Sequence, residues 1–133
     1  METINHECYV SLEVAELLKQ AGFNWYNCNY RYNSNLKLDY NIPGRIYGGD
    51  YHCAAPTLDV TQRWLREVKN CYIDVEVFVH NLDKNNVYYT YNWIVYFNND
   101  RYSGSDTETT RYYEVAQEVG IKKALEIILE KVE

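Results

Sequence analysis

Residues 71–97 read CYIDVEVFVHNLDKNNVYYTYNWIVYF, and this stretch decides the fold class. Cys71, Ile73, Val75, Val77 and Val79 alternate with Tyr72, Asp74, Glu76, Phe78 and His80. After the polar turn over 81–86, Val87, Tyr89, Tyr91, Trp93, Val95 and Phe97 alternate with Tyr88, Thr90, Asn92, Ile94 and Tyr96. Alternation of this kind marks a strand with one face toward a core, because successive side chains point to opposite sides of the backbone. Two such runs joined by a turn form an antiparallel hairpin. The odd-numbered residues set out its core face. On the other face Tyr72, Phe78, Tyr88, Ile94 and Tyr96 are too apolar for a freely solvated surface, so either residues 24–51 fold over it or another chain does.

Helices flank the hairpin on both sides in the chain. Downstream, Asn98-Asn99-Asp100 turns the chain into a short edge strand around 101–105. Tyr113, Ala116, Gly120, Ala124, Ile127 and Ile128 then recur at helical spacing, with Glu118 and Lys122 placed to pair one turn apart. Gly120 inside that helix costs about 1 kcal/mol relative to Ala, and a close approach to the sheet would compensate. Upstream, Thr57 caps a helix that ends at Asn70, with Leu58, Thr61, Leu65 and Val68 as its buried stripe and Trp64 widening it.

Earlier still, Ser11 caps a helix over 12–21 with Val10, Val14, Leu18 and Ala21 on one side, and Gly22 stops it. Between these helices, period-two spacing predicts a strand over 25–32 and a return over 36–40. Pro43-Gly44 fits the centre of a type II turn, and Gly48-Gly49-Asp50 breaks the chain again, so 41–56 reads as loop. The element order α-β-(β)-α-β-β-(β)-α predicts an α+β fold in which three helices pack as a second layer on an antiparallel sheet of three to five strands. At 133 residues, with no linker or repeat, the chain reads as a single domain over 1–133.

Composition narrows the function. Nineteen Asp and Glu against 13 Lys and Arg leave a net charge of -6, which disfavours a general binder of the phosphate backbone. No apolar run approaches the ~18 residues of a membrane span. Acidic Glu2 and Glu7 do not suit a secretory signal, so the expected location is cytoplasmic, with Cys8, Cys28, Cys53 and Cys71 reduced.

Readable enzyme signatures are missing: there is no phosphate-cradling glycine loop, H-E-x-x-H or G-x-S-x-G. Nothing calls for a cofactor. His6, Cys8, His52 and Cys53 are ligand types that suit zinc, at a spacing that matches no finger. Cys53 with His52 as base is a second chemical candidate, although neighbours in extended backbone point apart. The segment 24–51 is slightly basic and rich in tyrosine. There Tyr30, Arg31, Tyr32, Lys37, Arg45 and Tyr47 form a set able to stack on bases and touch phosphates.

Several pieces of the chain carry a resemblance: Val10-Ser11-Leu12-Glu13-Val14-Ala15, Ala55-Pro56-Thr57, Trp64-Leu65-Arg66-Glu67 and Gly120-Ile121-Lys122-Lys123-Ala124-Leu125. On these the chain resembles a group of small proteins encoded by gut Bacteroidetes and their phages or mobile elements. That resemblance implies no activity and no site residue. From the second helix onward the element order is also similar to a double-stranded RNA-binding domain, but the last helix opens with Arg111 among Tyr112, Tyr113 and Glu114 where that domain needs a basic cluster. The expected function is therefore a non-enzymatic interaction or accessory protein, its partner another protein or a second copy. Nucleic-acid binding through 24–51 is the alternative, and an enzyme of unrecognised type the third reading.

Overall fold

The computed structural model describes residues 9–25, 28–40, 51–83, 85–104 and 113–131. Its elements are α1 (Leu12–Gln20), β1 (Tyr30–Asn33), β2 (Leu38–Tyr40), β3 (Tyr51–Ala54), α2 (Leu58–Lys69), β4 (Tyr72–Asp83), β5 (Asn86–Phe97), β6 (Asp100–Gly104) and α3 (Tyr113–Glu130). This is an α+β fold. Its strands divide between two antiparallel sheets, of order β2-β1-β3 and β4-β5-β6, where the periodicity suggested one.

The helix ends follow from their residues. The Ser11 hydroxyl accepts from the Val14 amide at 3.4 Å, and Thr57 does the same for Val60 at 3.1 Å, each satisfying a donor with no partner inside the helix. Gly22, at φ +92°, lets the Phe23 amide turn back to the Leu18 carbonyl at 2.9 Å and close α1. Asn70 serves α2 in the same left-handed conformation.

α3 is the centre of the molecule: one side lies on β4 and β5, and α1 and α2 lie against it elsewhere. Val14, Leu18, Trp64, Leu65, Val95, Ile121, Leu125 and Ile128 fill the space between them. A Cβ at Gly120 would stand 3.0 Å from Ile73 Cγ2 and 3.1 Å from Trp93 Cβ, so the bare backbone is what allows the helix to sit this close to the sheet. Glu118 and Lys122 do not pair along α3. Glu118 accepts from the Ser11 amide at 2.8 Å and Lys122 meets Glu13 at 2.8 Å, so both fasten α3 to the start of α1. Buried Gln117 donates to Asp59 at 2.9 Å and to Gln62, whose own amide donates to the Ile73 carbonyl at 3.1 Å, joining α3, α2 and β4.

Three local expectations are corrected. The small sheet's first strand begins at Tyr30, five residues later than the alternation suggested, and β3 lies inside the stretch read as loop. β3 is four residues long and gains its hydrogen bonds from β1, with Arg31 opposite Ala54 and Tyr32 opposite Cys53, so no period of its own announces it. Val68 is exposed, because the buried face of α2 runs through Leu58, Thr61, Trp64 and Leu65. The Pro43-Gly44 turn, the Gly48-Gly49-Asp50 break and the edge-strand residue Ser105 lie outside the described residues.

Candidate interaction surface

The hairpin of β4 and β5 is long: twelve residues per strand, with Ile73 opposite Val95, Val75 opposite Trp93 and Val79 opposite Tyr89. At ~3.4 Å per residue each strand spans about 40 Å. α3 covers only the part of it near the chain's core. Tyr113, the first residue of α3, meets Tyr91 edge to face with centroids 5.8 Å apart, and the strands continue beyond that contact. Among the described residues β6 pairs with β5 from Trp93 to Phe97 alone. The distal half is therefore a two-stranded ribbon.

This limits the predicted core face. Cys71 and Val95 are buried and Ile73 and Trp93 pack on the core, but Val77 is 55% and Val79 60% exposed, and Val87 and Tyr89 are exposed beside them. Alternation continues past the point where a helix exists to cover it. Pattern alone could not locate that point.

The opposite, outer face carries the five residues singled out from sequence. Tyr72 pairs across the strands with Tyr96, and both are exposed, as is Phe78; Tyr88 is half-buried. Ile94 differs, being 3% exposed. On its face Glu76 on β4 and Arg101 on β6, diagonal to it on either side, approach each other to 3.9 Å. His80 likewise stacks on Tyr88, 4.7 Å between centroids and 9° between planes, and contacts the Thr90 hydroxyl at 2.8 Å. Long polar and aromatic side chains thus lie flat across the sheet. Residues 28–40 do not cover it: the small sheet contacts α1 through β3, and α2 and α3 are the described helices on the large sheet.

The outer edge of β4 is engaged in part. On the outer edge of β4 the Ile73 carbonyl accepts from Gln62, and the Val75 amide donates to the Asp74 carboxylate at 3.0 Å. These contacts show that odd-numbered residues of β4 turn their backbone groups away from β5. Further along, a bulge between Asn81 and Asp83 ends the regular ladder. At the tip Asp83 accepts from the Asn85 amide at 2.8 Å and from the Asn86 side chain at 3.0 Å, which holds its carboxyl below the usual range.

The residues of the nucleic-acid alternative do not form one exposed patch among those described. Arg31 is 7% exposed and Tyr32 donates its hydroxyl to the Val10 carbonyl at 2.8 Å, so both belong to the interior of the small sheet. Tyr30 stands edge to face with Tyr9, Lys37 is exposed, and Arg45 and Tyr47 lie outside the described residues.

The chemical candidates separate as well. His6 and Cys8 lie outside the described residues, and among those described no three His, Cys, Asp or Glu side chains gather into a metal-binding group. His52 meets Glu16 at 3.1 Å while Cys53 is buried beneath, its thiol pushed up to about 11 by burial and by Glu16. A thiol so protonated is a poor nucleophile. A cleft of about 600 Å³ beside the start of α2 is lined by Tyr9, Trp25, Cys28, Thr57 and Arg63 among others, with no His, Asp or Glu among the described residues of its wall. Arg63 lies over Trp25 and pairs with Glu67 at 2.6 Å.

No helix among the described residues is long and apolar enough to cross a membrane. Comparison with protein-family models, with curated proteins and with solved structures finds no match to this chain.

Proposed function

We propose that this chain is a non-enzymatic interaction or accessory protein, of a phage or its host, whose working surface is the β4-β5-β6 sheet and above all its projecting ribbon. One observation carries the reading: beyond Tyr91 the ribbon exposes apolar side chains on both faces, Val77, Val79, Val87 and Tyr89 on one and Phe78 on the other. A two-stranded ribbon is marginal in water by itself. Exposed apolar surface on this scale marks contact sites, and the acidic Asp74, Glu76 and Asp83 make a protein the fitting class of partner.

Site-specific photocrosslinking in cells tests it. A benzophenone amino acid at Phe78 or Tyr89 should give discrete protein adducts, while the same group at exposed Arg66 on α2 should give none. Adducts of equal yield from all three positions, or from none, would overturn the proposal.

A further inference from the structure

We infer that the occupant of the open β4 edge is β4 of a second copy, paired antiparallel about a two-fold axis at Phe78. The inference rests on the reading of the ribbon as an interaction surface and names its partner. Edge strands are normally blunted, and β4 is blunted selectively. Its outward backbone groups are engaged by side chains at Ile73 and Val75, and the ladder is broken by the bulge after Asn81. Between these lies a window in which no described residue engages the outward amides and carbonyls of Val77 and Val79. No proline interrupts it.

Register follows from four constraints. Because side chains alternate, pairings that keep the helix-covered faces of both copies on one side must join residues of like parity. Registers placing Asp74 or Glu76 opposite Asp74 or Glu76 of the other copy are opposed by like charge. Centring the pair on Val77 would require the Val75 amide, which Asp74 already holds. Centring it on Val79 would require the Asn81 backbone, where the bulge ends the regular ladder.

With the axis at Phe78, Val77 of each copy faces Val79 of the other and their outward amides and carbonyls exchange four hydrogen bonds. Phe78 meets Phe78 at the closer, non-hydrogen-bonded position, and Glu76 faces His80. The two most exposed valines of the ribbon become neighbours. The product is a continuous six-stranded sheet, β6-β5-β4-β4-β5-β6, and an isologous dimer. So small a window places the dimer at the weak end of specific interfaces.

Sedimentation velocity at low salt, from about 1 μM to about 1 mM, should show a reversible monomer–dimer equilibrium. Val79→Pro removes an outward amide without touching the β4–β5 ladder and should weaken association at least about tenfold with an unchanged circular dichroism spectrum. The register is tested by charge. Phe78→Glu alone should be monomeric, since the new carboxylates face each other, and mixing it with Phe78→Lys should restore a dimer containing one of each.

A monomeric wild type throughout the range overturns the inference, as does Phe78→Glu associating like wild type, or a mixture no more dimeric than its parts. If the dimer fails while photoadducts from Phe78 contain a different protein, the inference falls and the proposed function stands. If neither dimer nor adduct appears, both fall.

Discussion

Replacing Gly120 by alanine sets two opposing terms of known size against each other. Alanine is the better helix former by about 1 kcal/mol, so on propensity alone the variant gains stability. Packing works the other way: the added methyl would meet Ile73 Cγ2 at 3.0 Å and Trp93 Cβ at 3.1 Å, both inside normal van der Waals contact. Ile73 has limited freedom because its Cγ2 branches directly from Cβ, and the Trp93 Cβ is fixed by the β5 backbone. Relief therefore requires α3 to rise from the sheet by a few tenths of an ångström, which disturbs Ile121, Ala124 and Leu125, all fully buried. Overpacking of this kind costs roughly 1–3 kcal/mol. The net expectation is a loss of about 1 kcal/mol, and Gly120→Val should lose more. Urea unfolding followed by tryptophan fluorescence measures it, with the midpoint falling at unchanged m-value. If Gly120→Ala were instead stabilised by about 1 kcal/mol, the helix would not be held at the distance described, and the argument for its seating would fail.

Other expectations follow from single contacts. Thr57→Ala leaves the Val60 amide without its cap and should cost about 1 kcal/mol, whereas Thr57→Ser should recover most of it by the same denaturation assay. Cys53 and Cys71 are both pushed up to about 11 by burial, so the folded chain keeps protons that the unfolded chain releases near 9. Stability should therefore be insensitive to these groups below pH 9 and decline as pH rises toward 11, with a shallower decline in Cys71→Ala; an unchanged slope would contradict the assignment. Native-state alkylation of these two thiols at pH 8 should be far slower than in denaturant. Asp83 is held below the usual carboxylate range by Asn85 and Asn86, so the turn should stay closed through mild acid and loosen only as pH falls through that lowered value. The Asn85 amide shift in NMR should report it, and a transition at the ordinary Asp pKa would show that the contact is not made in solution.

How much was legible depended on whether the signal was local. Helix α1 could be read almost residue by residue, since Ser11, the stripe Val10, Val14, Leu18 and Ala21, and Gly22 act through their own backbone and all four stripe residues are buried. The pairing of β4 with β5 was equally plain. β3 was not, because a four-residue strand of Tyr51, His52, Cys53 and Ala54 acquires its identity from β1. The pairing of Glu118 and Lys122 along one helix face was a reasonable local inference, overridden when α1 brought Ser11 and Glu13 within reach. Among the proposed surface residues, Tyr72, Phe78, Tyr88, Ile94 and Tyr96 do share one face, yet Ile94, on the central strand β5 between β4 and β6, is buried. Arg31 was indistinguishable in sequence from an exposed cation.

By itself, then, the sequence determined the things that short-range physics controls: three helices, the first two with their caps, an antiparallel hairpin and the sidedness of its two faces. Tertiary structure decided where those faces are covered. A strand's alternation says which side chains lie together but carries no information about where the overlying helix stops. That boundary, at Tyr91 and Tyr113, turns the far end of an apparently ordinary core hairpin into an exposed ribbon whose β4 edge keeps an open stretch at Val77 and Val79.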